Sequence, residues 1–143
     1  MGNGEAKNRQ EDSLKDKSVE ADIPTYISKP TSNLILAYSE GNYYPCIILD
    51  NARTMANGYL VFFLHSQVET EVFSGNVIGN LKVLLDRCIS FTIDGKYYVG
   101  KVFDMANNQK NEVTHFFVCC ENQYVWVSFP FIYLTQDQMK QFC

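Results

Sequence analysis

The stretch NLILAYSEGNYYPCIILD, Asn33 to Asp50, decides how the chain is read. One apolar run, Asn33–Tyr38, stops at Ser39-Glu40-Gly41-Asn42, and a second, Tyr43–Asp50, follows it. Two short apolar runs joined by a Gly-containing turn predict a β-hairpin. Pro45 in the second run suits an edge or a bulge, because it has no N–H to give to a ladder. Further on, Tyr59–His65 and Val68–Phe73 predict a hairpin across Ser66-Gln67, and a short strand is expected around Asn76–Gly79. Upstream, residues 1–30 are polar and charged with no apolar period, so a disordered leader is expected there.

The same order of elements returns 54 residues later. Gly41-Asn42-Tyr43-Tyr44 becomes Gly95-Lys96-Tyr97-Tyr98, Ile48-Leu49-Asp50 becomes Val102-Phe103-Asp104, Phe62-Phe63 becomes Phe116-Phe117, and Ile78 becomes Ile132. Cys88–Ile93, Lys96–Asp104, Glu112–Cys119 and Tyr124–Phe129 read as strands, with Asp94-Gly95 as a two-residue hairpin turn. Each copy holds about five strands in roughly 50 residues, which predicts a small barrel. Units of that size are marginal alone, so the two should pack together. The link between them, NLKVLL from Asn80 to Leu85, is apolar, which predicts a rigid pair. Thr135–Cys143 is the only helix candidate, and Thr135 with Gln138 is a capping box.

The repeat also assigns faces. Ile47 corresponds to Lys101, so that side of the second strand must reach water. Tyr44, Cys46 and Ile48, with their counterparts Tyr98, Gly100 and Val102, should point inward. Tyr44 then stands near a barrel mouth.

Composition narrows the function. Sixteen acidic against twelve basic residues leave a net charge of −4, without a global basic field for nucleic acid. No apolar run approaches the roughly 20 residues that span a bilayer, so no membrane partner is expected. The five cysteines are an odd number with no CxxC pair, which argues against a disulfide framework or a zinc site. Cysteines inside apolar runs predict buried free thiols and a reducing compartment. His115 and Cys119 share a strand face but lie roughly 13 Å apart along it, too far for a catalytic pair. No catalytic residue, metal site or cofactor is expected, and a binding role is.

The run Leu36–Pro45, LAYSEGNYYP, followed by Tyr59-Leu60-Val61-Phe62-Phe63, resembles a Tudor domain. With the ending Tyr124-Val125-Trp126-Val127, Ile132–Gln136 and Phe142, the span from Asn33 to Phe142 is similar to the tandem Tudor domains of DNA-damage checkpoint adaptors. The resemblance implies an all-β chain of two tandem five-stranded, SH3-like barrels packed together, with a short C-terminal helix. The expected division is a leader over 1–30, a first barrel over 31–80 and a second over 81–143.

The resemblance also implies a nuclear, non-enzymatic chromatin module that binds a methylated histone lysine. Other checkpoint proteins would be met through the rest of a full-length protein. Carried over by position, the walls of an aromatic cage fall on Tyr38, Tyr44 and Phe63. The acidic residue that the family sets just after the inward Phe falls on His65, or on Ser66 if the turn shifts by one. Glu69 or Glu71 are candidates to supply the missing charge. In the second copy Tyr98 and Phe117 match two walls but Thr92 replaces Tyr38, so that copy reads as structural. An alternative function is double-stranded DNA binding, since Lys82, Arg87, Lys96 and Lys101 accompany Tyr97 and Tyr98 early in barrel two. Ser66-Gln67 and Thr135-Gln136 match the Ser/Thr-Gln pattern of checkpoint kinases, although Thr135 reads better as a helix cap.

Overall fold

Both predicted tight turns adopt the backbone that their glycines permit. Glu40 and Gly41 have φ of 52° and 97°, and Asp94 and Gly95 have φ of 51° and 78°. Two consecutive positive values define the hairpin turn whose twist matches that of the flanking strands. The computed structural model describes residues 23–142. Barrel one comprises β1 (Leu34–Ser39), β2 (Asn42–Asn51), β3 (Gly58–Phe63), β4 (Val68–Phe73) and β5 (Val77–Ile78). Barrel two comprises β6 (Cys88–Ile93), β7 (Lys96–Asn107), β8 (Val113–Cys120), β9 (Gln123–Ser128) and β10 (Ile132–Thr135). The described residues are all-β, with short helices α1 (Thr25–Ser28) before the first strand and α2 (Gln136–Met139) after the last. Thr135 caps α2 as expected: its hydroxyl accepts from the Gln138 N–H at 3.2 Å, and the Gln138 side chain accepts from the Thr135 N–H at 3.0 Å. The helix is shorter than expected and passes into a 3-10 turn over Lys140–Phe142.

The run LILAY has apolar neighbours on both sides because β1 is the wall between two cores. Ile35, Leu36 and Ala37 are all inaccessible to solvent. Ile35 and Ala37 join Cys46, Val61, Phe63, Val72 and Val77 in the core of barrel one. Leu36 points the other way, with Tyr43 and Ile78, into the larger core built around Phe91, Phe116, Ile132 and Leu134 of barrel two. The predicted facing of the second strand holds in barrel two, where Gly100 and Val102 are buried and Lys101 is exposed, but only in part in barrel one: Cys46 is buried, yet Tyr43, on the side expected to reach water, is buried in the shared core and Ile47 is half-buried.

β10 joins the barrels. It pairs with β6 through Ile132↔Phe91 and with β2 through Leu134↔Tyr43. The link between barrels is a 3-10 turn over Leu81–Leu84, with Leu81 and Leu84 in the shared core and the Asn80 side chain accepting from Lys82 N–H. The link is therefore packed into the core and not solvated.

Three expectations are corrected. The leader was expected to extend to residue 30, yet Ile27 is fully buried in the shared core and accepts hydrogen bonds from the Gly79 and Asn80 N–H groups at 2.9 and 3.0 Å. Ile23 and Ile27 are the apolar positions that the average over a charged segment hides. The rest of the expected leader, residues 1–22, lies outside the described residues. The strand expected over Tyr59–His65 ends at Phe63. Leu64–Gln67 form a four-residue loop closed by Gln67 N–H donating to Phe63 O at 2.8 Å, with Gln67 at φ 58°. Of the cysteines expected to be buried, Cys46 is, and burial pushes its thiol pKa up to about 12. Cys119 and Cys120 are only half-buried, and Cys88, which lies outside the apolar runs, is exposed.

The repeat is real but its register slips. The offset of 54 holds from β1–β2 to β6–β7, including a bulge after Ile48 and after Val102. Ile48 pairs with Val61, however, whereas Val102 pairs with Val118, an offset of 57. The stretch from Val102 to Val118 is three residues longer than that from Ile48 to Val61, taken up in the longer strands β7 and β8, so Phe63 corresponds to Cys120 and not to Phe117. A shorter hairpin, Glu121-Asn122 in place of Leu64–Gln67, then resets the offset to 55, and Val77 rather than Ile78 corresponds to Ile132.

Gly79 shows how tightly the N-terminal segment is clamped. A Cβ there would lie 2.4 Å from Pro30 N and 2.5 Å from Ser28 O. Gly79→Ala is therefore expected to push residues 27–31 off the shared core at a cost of about 1–3 kcal/mol. Urea denaturation would measure the loss. Faster hydrogen exchange at the Thr31 amide, which donates to Gly79 O at 3.2 Å, would locate it.

Candidate functional site

The β1–β2 hairpin divides the predicted cage. Its turn pairs Tyr38 with Tyr43 and Ala37 with Tyr44. Successive residues of a strand face opposite ways, so Tyr38 and Tyr44 lie on opposite faces. Tyr38 meets Tyr43 edge-on at 5.5 Å, packs against the shared core and accepts a hydrogen bond from Gln136 Nε2 at 3.3 Å. It is not brought to the other walls.

Tyr44, Phe63 and His65 do come together. The imidazole of His65 stacks on Tyr44 with centroids 3.9 Å apart and planes 22° from parallel. Phe63 meets His65 edge-on at 5.6 Å. Tyr44 is fixed further by Asn42, whose Nδ2 donates to the Tyr44 hydroxyl at 3.0 Å. The hairpin loop that ended β3 early is what allows His65 to fold back over Tyr44.

A further wall was not anticipated. Tyr133 of β10 lies 6.0 Å from Tyr44, 28° from parallel. Tyr44, His65, Tyr133, Tyr97 and Phe131 line an open groove of about 460 Å³ along the seam between the barrels. No sequence pattern points to Tyr133, because it reaches the site only through the pairing of β10 with β2. Tyr97 comes from the repeat motif but faces outward, 75% exposed.

The electrostatics favour a cation. Burial lowers the pKa of His65 below the ordinary imidazole value, while the Glu40 carboxylate pulls it upward. His65 is then neutral at pH 7, with Glu40 as its acidic neighbour. Burial raises the pKa of Tyr133, opposed by its hydrogen bond with Ser90, so this wall stays an uncharged phenol. Glu71, considered for the acid, is engaged elsewhere. Its carboxylate accepts from the Arg53 and Thr54 N–H groups at 2.7 and 3.1 Å and holds the β2–β3 connection closed. The Thr54 hydroxyl bond, then the Arg53 amide, lower its pKa. Register also puts Glu69 and Glu71 on the face opposite Phe63, which pairs with Val68.

Among solved structures, the chain is similar to the tandem Tudor domains of Crb2, with a TM-score of 0.56 and 18% identity over 78% of this chain and 89% of that one. The fold is that of a tandem Tudor pair. No protein-family model and no curated protein matches the chain.

Within this tandem Tudor fold the four basic residues are spread out. Lys82 is exposed on the turn between barrels, beside Thr31 and Asn111. Arg87 is half-buried, with its guanidinium 5.5 Å over the Phe142 ring. Lys101 lies 5.6 Å over Phe103 on the outer face of β7. Lys96 starts that strand, five residues and roughly 16 Å away. Among the described residues no group of His, Cys, Asp and Glu could hold a metal ion.

Proposed function

We propose that the chain is the chromatin-binding module of a DNA-damage checkpoint adaptor, most like the budding-yeast member. It acts in the nucleus and holds a methylated histone lysine in the seam groove. The reading rests on the Tyr44–His65 stack with Tyr133 beside it, three ring systems around one open groove. A methylammonium is weakly hydrated, so little is lost when it leaves water, and each aromatic face attracts it by about 0.5–2 kcal/mol. Glu40 supplies the negative charge that the position of His65 lacks. The site binds and does not catalyse. Double-stranded DNA remains the second reading, with less geometric support because its four basic residues form no single surface.

Titration of the ¹⁵N-labelled chain with dimethyl-lysine and unmodified histone peptides tests the reading. Shifts at Tyr44, His65 and Tyr133 are expected with the methylated peptide only. Equal shifts with both peptides would refute it. Acid should weaken binding as well. A bound cation disfavours protonation of His65, whose pKa burial holds below the ordinary imidazole value, so affinity should be level through the ordinary imidazole range and fall only on the acid side of it, as the imidazole gains its proton. His65→Gln should flatten the profile across that range.

A further inference from the structure

Barrel two reads as structural if its site is sought where Tyr98 and Phe117 lie, and the register slip explains why that search finds nothing. Tyr98 is stacked inside on Phe91 at 5.6 Å, and Phe117 is turned to the outer face. The groove of barrel two lies elsewhere. Asp94, Trp126 and Phe131 line an opening of about 400 Å³ between the β6–β7 turn and β9. Trp126 and Phe131 are 48% and 54% exposed, unusual for rings of their size. Trp126 is held in place by Phe117, 4.8 Å behind it.

Three observations define what this groove accepts. Among the described residues Asp94 is the only charged side chain in its lining. Asp94 also holds the turn position that Glu40 holds in barrel one, at the same left-handed backbone, and Glu40 acts electrostatically on His65 of the seam groove. Finally, the groove shares Thr92 and Phe131 with the seam groove, so the two run into each other.

We propose that this second groove takes an arginine side chain of the same peptide that lies against Tyr44 and His65, so that the pair of barrels reads two cationic residues. The identity of the peptide rests on the methyl-lysine reading, and the arginine site does not. A planar guanidinium stacks on an indole face and presents a fork of N–H donors to a carboxylate, which an ammonium cannot match.

Trp126 is the sole tryptophan of the chain, so its emission reports on this groove alone. The test uses peptides with one dimethyl-lysine and one arginine at varied separation, and a parallel set with uncharged citrulline for arginine. At the best separation the arginine peptide should bind about tenfold tighter than its citrulline partner and shift the Trp126 emission. Asp94→Asn should erase that difference. The variant keeps the fold, since Asn-Gly forms the same type of turn. Arginine and citrulline peptides that bind alike at every separation would overturn the proposal, as would an Asp94→Asn variant that still tells them apart. Discrimination of arginine without discrimination of methylation would uphold this site and sink the methyl-lysine reading. The reverse result would do the opposite.

Discussion

Phe91→Ala is expected to destabilise the whole chain by about 3–5 kcal/mol, in one cooperative transition that probes in both barrels report together. Phe91 is 1% exposed, stacks on Tyr98 and pairs with Ile132 of the joining strand. The core it fills also contains Leu36, Tyr43 and Ile78 of barrel one. Removing the ring therefore leaves a cavity in the core that the wall strand β1 shares, and the other face of that strand carries the core of barrel one. Trp126 fluorescence reports on barrel two, and hydrogen exchange at Ala37 and Cys46 reports on barrel one. Coincident losses are the expected result. An Ala37 signal that keeps its wild-type stability while Trp126 melts early would mean that the barrels fold independently.

Tyr44→Ala should weaken binding of the methylated peptide by about 10–100-fold, the loss of one strong cation–π wall and of the surface on which His65 stacks. The cost in stability should be small, because Tyr44 is only half-buried at the edge of its core. Tyr38→Leu is the informative companion. It removes an aromatic six residues away that a motif comparison places in the same cage. The hairpin register puts Tyr38 on the other face, so this variant should bind as the unaltered chain does. Titration calorimetry on the two variants gives opposite answers for a cage on motif positions and a cage on structural ones.

Tyr38 marks where the sequence could have been read further. The turn Glu40-Gly41 pairs Ser39 with Asn42, and counting back gives Tyr38 opposite Tyr43. Strand parity alone then separates Tyr38 from Tyr44, and following the motif instead joined them. The strands themselves were legible because alternation, Asp94-Gly95 and the Thr135 capping box are local signals. Phe117 was not legible as an outer residue. Phe-Phe recurs at the repeat spacing, but three added residues between Asp104 and Phe117, which lengthen β7 and β8, move the pairing partner, and an insertion's effect on register cannot be seen in a match of letters. Tyr133 was out of reach for another reason: its place beside Tyr44 depends on a contact between strands far apart in the chain. Ile27 was lost to averaging over the charged residues before it.

The strand that joins the two barrels also sets an order in time. Tyr43 leaves the ribosome about 90 residues before Leu134, its partner. At ordinary elongation rates that is a wait on the order of ten seconds. During it, Leu36 and Tyr43 have no aromatic core to face, and the start of β2 stays an open edge. The first half made is thus not finished until the second is, and a nascent chain stalled before Ile132 would display the strand edge that the folded protein conceals.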